Sequence, residues 1–230
     1  MTPRAALARI VVVVPAHDEE ELLAHCLASI DRARPHAGVP VDVVVALDDC
    51  HDGSSRVVRQ FDALEVTLAA HAVGAARAAG VTAGLELGDD DFAAVWIAST
   101  DADSVVPDNW LRVQRELADA GADVVLGTVR PDPRDLSVGQ LAAWRATRVP
   151  GRPNGHVHGA NLGVRADVYA RAGGFAPLVE HEDVELVARL RSDPDVDVRA
   201  SDEADVLTSG RTTGRTPGGY AGYLLTAFPP

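Results

Sequence analysis

The stretch WIASTDADSVVPDNW, Trp96 to Trp110, decides how the rest of this chain is read. An apolar run from Ala93 to Ala98 predicts a short buried strand. It stops abruptly in Thr100-Asp101-Ala102-Asp103. Two carboxylates at a strand end do not build a core. An unpaired buried charge costs several kcal/mol, so such groups stay wet, pair with cations or bind metal. In a turn, Asp-x-Asp can aim both side chains at one point, which suits a hard divalent cation. The same residues also suit an ordinary turn or helix cap, so the surrounding chain has to decide.

Upstream, the motif of a strand ending in acid repeats. Arg9 to Val14 (RIVVVV) is a β-branched run closed by Pro15, as expected for a strand buried on both faces. A helical pattern follows, with Leu22, Leu23, Cys26, Leu27 and Ile30 on one face. Asp18 to Glu21 fall in its first turn, where the helix dipole favours acids. Val41 to Leu47 predicts a second strand, and it ends in Asp48-Asp49. A helix is expected from Ser54 to Leu64, then a short strand from Glu65 to Leu68. AVGAARAAGVTAGLEL predicts a small-residue helix able to approach a sheet closely. Strand and helix alternate through about residue 105, which predicts an α/β fold with a mostly parallel, doubly wound sheet. Ligands of such sheets bind outside the carboxyl ends of the strands. Asp18, Asp48, Asp49, Asp101 and Asp103 should therefore converge on one edge.

Downstream the pattern is less regular. A helix from Asp108 to Ala120, a strand from Ala122 to Thr128 and a helix from Asp135 to Arg148 are expected. A loop rich in Gly, Pro and His follows, PGRPNGHVHGANLGVRADV. HEDVELVARLRS predicts an amphipathic helix with Val184, Leu186, Val187 and Leu190 inward. A strand pair is expected near Val196 to Leu207. Ser209 to Gly219, rich in Gly, Thr and Arg, is expected to be the most mobile segment, and a short apolar tail closes the chain.

The chain has 230 residues and a net charge of −13. That size fits one α/β domain or two small ones. The charge argues against nucleic-acid partners and anionic lipid surfaces. A phosphate-bearing substrate would need local cations, metal or Arg, against this background. There is no lysine, which excludes P-loop and Schiff-base chemistry. Cys26 and Cys50 match no metal spacing and are expected to be free thiols. No apolar run approaches the ~20 residues that span a bilayer, and no cleavable signal is visible; a cytoplasmic protein is expected.

Taken together, the motifs VVVVPAHDEEELL, ALDDCHDGS, VGAARAAGV, TDADS, GANLGVRADVYARAGGF and HEDVELVARL resemble family 2 glycosyltransferases of the GT-A fold, of a non-processive, soluble kind. The resemblance covers nearly the whole chain. It implies a single GT-A-like domain over residues 1–230, with a nucleotide-binding half (about 1–105) and an acceptor-side half (about 106–230) that carries a Gly/Arg-rich loop. It implies a UDP- or GDP-sugar donor, with Pro15, Ala16 and Glu19 lining the nucleoside pocket. Asp48 would approach the base or ribose, with Asp49 close by. Arg77 would contact donor phosphate. Asp103 would ligate Mg²⁺ or Mn²⁺, and Asp101 would contact ribose or a metal-bound water. Glu182 and Asp183 match an acidic catalytic pair. Asp183 would be the general base of a single, inverting displacement on a hexosyl donor, moving the sugar to the hydroxyl of an unidentified acceptor. His156 and His158 would flank the acceptor side, and Arg211 and Arg215 would clamp the diphosphate. The Gln-x-x-Arg-Trp motif of processive synthases is missing.

Other readings meet specific obstacles. A haloacid-dehalogenase-type phosphatase wants its Asp-x-Asp near the N terminus and a lysine downstream. A nucleotidyltransferase typically has a Gly-rich first loop with Arg and Lys, which PAHDEEE lacks. A dinucleotide dehydrogenase needs G-x-G-x-x-G after the first strand. A catalytically degenerate nucleotide-sugar-binding module or partner subunit is the non-enzymatic alternative, and the intact acids at 101, 103 and 183 count against it.

Overall fold

The computed structural model describes residues 4–211 and 219–229. Arg9–Ala16, Val41–Asp48, Leu64–Leu68 and Val95–Ser99 form β1 to β4. They pair in parallel in the order β3-β2-β1-β4. All eight residues of β1 are buried, as a strand covered on both faces must be. Its side chains alternate between two cores. Val12 and Val14 join Leu23, Leu27 and Ile30 of α1 (Glu20–Ala33) on one face. Val11 and Val13 join Val44, Val81 and Ile97 on the other, under α3 (Val73–Leu85). The close approach expected of that small-residue helix is present: a Cβ on Gly80 would lie 2.6 Å from Val13 Cγ1, and one on Gly84 would overlap Val11 Cγ1.

The second half reverses direction once. Val124–Pro131 is β6, Leu162–Arg165 is β7 and Val198–Thr208 is β8. β7 runs antiparallel between β4 and β6, and β8 runs parallel to β6. A two-residue strand, β5 (Ser104–Val105), pairs antiparallel with the end of β8. The eight strands of the described residues thus form one mostly parallel sheet, as expected, in the order β3-β2-β1-β4-β7-β6-β8-β5.

Several local expectations need correcting. The predicted pair near Val196 to Leu207 is one 11-residue strand, irregular where its register against β6 shifts between Gly127 and Val129. β1 continues through Pro15. α1 starts at Glu20 because Asp18 takes a left-handed φ of 48°. The helix predicted over Ser54 to Leu64 is only α2 (Ser54–Val58). α4 spans Trp110–Asp119. α5 spans Val138–Ala146, and its start is set by a capping box between Ser137 and Gln140. α6 (Ala166–Arg171) and α8 (Tyr220–Ala227) were not foreseen; α7 spans Glu182–Arg191. Val184, expected inward on α7, is 47% exposed. No helix among the described residues is long and apolar enough to cross a membrane.

Candidate active site

The carboxyl ends of β1, β2 and β4 open into a cleft of about 870 Å³, closed on its far side by α7 and α8. Pro15, Ala16, Glu19 and Asp48 line one end, Asp101 and Asp103 the middle, and Glu182 and Asp183 the other end. The predicted convergence of acids is therefore met for Asp48, Asp101 and Asp103, with two exceptions, Asp18 and Asp49. Asp49 does not line the cleft: φ at Asp49 is 53°, and its carboxylate lies between His51 Nε2 (3.4 Å) and His71 Nδ1 (3.3 Å).

Each acid has a definite local task. Asp48 closes β2 and is 5% exposed. It accepts hydrogen bonds from the backbone N–H groups of Ala70 (2.7 Å), His71 (3.0 Å) and Ala72 (2.8 Å), which fixes the loop leading into α3. A carboxylate offers about four acceptor positions, so most of its capacity is engaged by the loop. Asp18 accepts from the N–H groups of His51 and Asp52, joining the loops that follow β1 and β2.

Arg77, on α3, is 2% exposed. Its Nε donates to Glu182 Oε1 at 2.8 Å, and its two terminal nitrogens donate to Ser99 Oγ and Asp101 Oδ1. The guanidinium therefore ties the end of β4 and the Asp-x-Asp turn to the start of α7 at the wall of the cleft. Gly159 permits this, since a Cβ there would overlap the guanidinium. Glu182 is 4% exposed; burial raises its proton affinity while Arg77 opposes the shift. Next to it, Asp183 Oδ2 accepts from the Gly159 N–H at 2.6 Å and Oδ1 from the Val184 N–H at 2.8 Å. His181, the cap of α7, has a left-handed φ of 63°.

Asp103 meets the last part of the site. β5 follows it directly, and the pairing of Ser104 with Thr208 brings the residues after β8 alongside. Arg211 Nη2 sits 3.0 Å from Asp103 Oδ2 and 2.9 Å from Glu19 Oε1. Burial pushes the Asp103 carboxyl up to about 7, helped by the charges of Asp101 and Glu19 and opposed by Arg211. The residues fit a divalent cation: the carboxylates of Asp103 and Glu19 already meet at one positive charge, and hard oxygen donors are what such an ion takes. Two carboxylates make an incomplete shell for such an ion. Arg215 lies outside the described residues, as does most of the segment Ser209 to Gly219.

The cleft also has walls that sequence reasoning did not assign. His17, His71, Thr208, Tyr220 and Tyr223 line it. Tyr220 and Tyr223 stand three residues apart in the apolar tail, a helical spacing that puts two rings on one face.

The fold, a mostly parallel sheet with acids at the strand ends and an Asp-x-Asp turn after β4, defines a GT-A architecture. The model of glycosyl transferase family 2 matches residues 11–169, more than two thirds of the chain, and the chain belongs to that family. The structure resembles S. aureus TarS 1-349 in complex with UDP-GlcNAc at TM-score 0.67 and 13% identity, over 92% of this chain and 61% of that one. The UDP complex of the same protein gives TM-score 0.62 at 13% identity, over 88% and 61%. The mannosyltransferase PcManGT from Pyrobaculum calidifontis, in complex with GDP-Man and Mn²⁺, gives 0.61 at 19%, over 90% and 57%. The chain thus spans about three fifths of the length of these structures, and the likeness is one of fold. No curated protein matches the sequence.

Proposed function

We propose that the chain is a glycosyltransferase that moves a hexosyl group from a UDP- or GDP-sugar to an acceptor hydroxyl, with inversion at the sugar carbon. One observation carries this reading: Asp101, Asp103 and Asp183 open into a single cleft, and buried Arg77 ties the turn holding the first two to the helix holding the third. The relatives crystallised with UDP, UDP-GlcNAc and GDP-Man support the donor class. The chain works as one domain, with residues 1–105 serving the nucleotide and 106–230 the acceptor.

In this reading Pro15, Ala16 and Glu19 form the nucleoside end, with Asp48 holding its wall and keeping one acceptor position for the base or ribose. Asp103, with Asp101 beside it, holds Mg²⁺ or Mn²⁺; the Mn²⁺ complex of the mannosyltransferase relative supports this. An ion held there would supply positive charge to a departing diphosphate. Arg211 leaves Asp103 and Glu19 to pair with the diphosphate, a task suited to its planar fork; Arg215 is assigned to the same task. Arg77 and Glu182 are positioning residues. Asp183 takes the proton of the acceptor hydroxyl as that oxygen bonds to the anomeric carbon. The bond from that carbon to the diphosphate oxygen breaks, and its electron pair leaves with the diphosphate. One displacement inverts the centre, and a positioned base contributes typically 10²–10⁴-fold.

Calorimetry with UDP and GDP, with and without Mn²⁺, tests the donor site; binding of neither would sink the reading. Asp183→Asn is expected to lower kcat at least 100-fold while nucleotide affinity stays within about twofold, the signature of a transition-state role.

A further inference from the structure

The backbone that carries Arg211 is fastened to the Asp-x-Asp turn itself. Ser209 N–H donates to the Asp103 carbonyl at 3.2 Å. Gly210 N–H donates to Asp135 Oδ2 at 2.8 Å, and Arg211 N–H to Ser209 Oγ at 3.3 Å. Three successive residues are thus anchored, and the guanidinium is delivered to Asp103 and Glu19. The two oxygens of Asp103 are engaged differently. Oδ1 lies 3.4 Å from the hydroxyls of both Ser104 and Thr208, which bond to each other at 2.9 Å. Oδ2 lies 3.0 Å from Arg211 Nη2. Contacts of 3.4 Å are long for a hydroxyl donor, so Arg211 is the principal partner of Asp103 among the described residues.

Exposure is uneven across this cluster. The side chains of Asp103 and Glu19 are 14% and 8% exposed, against 38% for Arg211. Arg77, the guanidinium on Asp101, is 2% exposed and held by three side chains. Arg77 is therefore a fixture, and Arg211 is the cation placed to exchange partners. A divalent cation arriving alone would have to bind beside Arg211, against like charge, or expel it from two buried carboxylates. Both are costly. A diphosphate changes the balance, because its oxygens accept a planar guanidinium in bidentate fashion. Arg211 then gains a partner as it gives up Asp103.

Building on the transferase reading, we propose that Arg211 is the internal counter-ion of the metal site. It makes the Asp-x-Asp turn selective for a divalent cation that arrives with a nucleoside diphosphate over the same cation alone.

The test titrates Mn²⁺ without nucleotide, followed by the electron paramagnetic resonance signal of the free ion at one ionic strength set with NaCl. Arg211→Ala and the neutral, longer Arg211→Gln are both checked for native circular dichroism. They are expected to bind Mn²⁺ at least about fivefold tighter than the wild type, the lower end of ordinary coupling between sites. Arg112→Ala removes the same unit of charge from an exposed ion pair on α4, outside the cleft, and should bind as the wild type does. The Arg211→Ala/Asp103→Asn double variant should lose the gain. Coupling is reciprocal, so the factor by which Mn²⁺ tightens UDP or GDP should shrink by about the same amount in Arg211→Ala. Calorimetry in EDTA and in Mn²⁺ reads that factor, and complexation of Mn²⁺ by free nucleotide is common to both proteins and cancels. No gain in either folded neutral variant, an equal gain in Arg112→Ala, a gain that survives Asp103→Asn, or an unchanged coupling factor overturns this inference alone. Failure of both UDP and GDP to bind the wild type in Mn²⁺ overturns the transferase reading and this inference with it.

Discussion

Asp103 and His158 carry opposite burdens, and pH exposes both. The Asp103 carboxyl sits at about 7, against an ordinary value of 3.8, because it is buried near Asp101. The folded state therefore holds this proton more tightly than the unfolded chain. Stability falls as pH rises from about 4 through 7 and stays lowered above that. His158 sits at about 4, against an ordinary 6.5, because burial disfavours its charge. Here the unfolded chain holds the proton more tightly, so stability falls as pH drops from about 6.5 toward 4. The two effects overlap in one window and partly cancel in the wild type, but single variants separate them. In EDTA, Asp103→Asn should raise Tm by a few degrees at pH 8 and by less at pH 5. His158→Phe should improve Tm at pH 5 relative to its effect at pH 8. Melts of both variants at the two pH values check the signs. The acids themselves were legible because each ends an apolar run. The commitments of Arg77 and Asp49 were not: they depend on which groups the fold brings within 3–4 Å, and no spacing in the sequence encodes that.

At the scale of elements, the small residues of α3 decide how closely it lies on the sheet. A Cβ on Gly84 would overlap Val11 Cγ1 and lie 3.2 Å from Val44 Cγ2, both on central strands that cannot move aside. Gly84→Ala should therefore cost about 1–3 kcal/mol by overpacking. Gly139, in α5, meets nothing nearer than Ser137 Oγ at 4.0 Å and is exposed. Gly139→Ala should stabilise by about 0.4–1 kcal/mol through the unfolded chain. Urea titration of the two variants reads both, and equal effects would discredit the packing account. The same contrast explains which elements could be foreseen. β1, β2 and β4 are apolar runs buried on both faces, and periodicity alone reveals them. β7 is four residues long, and its antiparallel place between β4 and β6 is fixed by partners distant in sequence. β8 reads as two strands because its interior, Ser201 to Asp205, is polar where the register against β6 breaks. α8 was hidden in a tail whose apolar content suits core and helix alike.

For the whole molecule, net charge sets the terms on which a metal site can be recognised. At −13, the folded chain repels itself, and any divalent cation will relieve that repulsion without a specific site. A rise in Tm with Mn²⁺ alone therefore discriminates nothing. The cleft makes a sharper demand. On the transferase reading, Asp101 and Asp103 would provide only part of a coordination shell, and Arg211 already neutralises Asp103 and Glu19. On that reading metal would gain little until a diphosphate both completed its shell and drew Arg211 away. Metal and nucleotide should thus stabilise cooperatively, with a joint shift exceeding the sum of the separate ones. At ligand near 100 Kd the gain is about 2.7 kcal/mol, which for a chain of this size raises Tm by roughly 5–10 °C. Matched ionic strength in NaCl removes the general screening contribution. The Asp101→Asn/Asp103→Asn double variant should keep whatever shift Mn²⁺ gives through general charge relief and lose the cooperative part. Additive shifts in the wild type would mean that the Asp-x-Asp turn does not join metal to nucleotide, even if each binds separately.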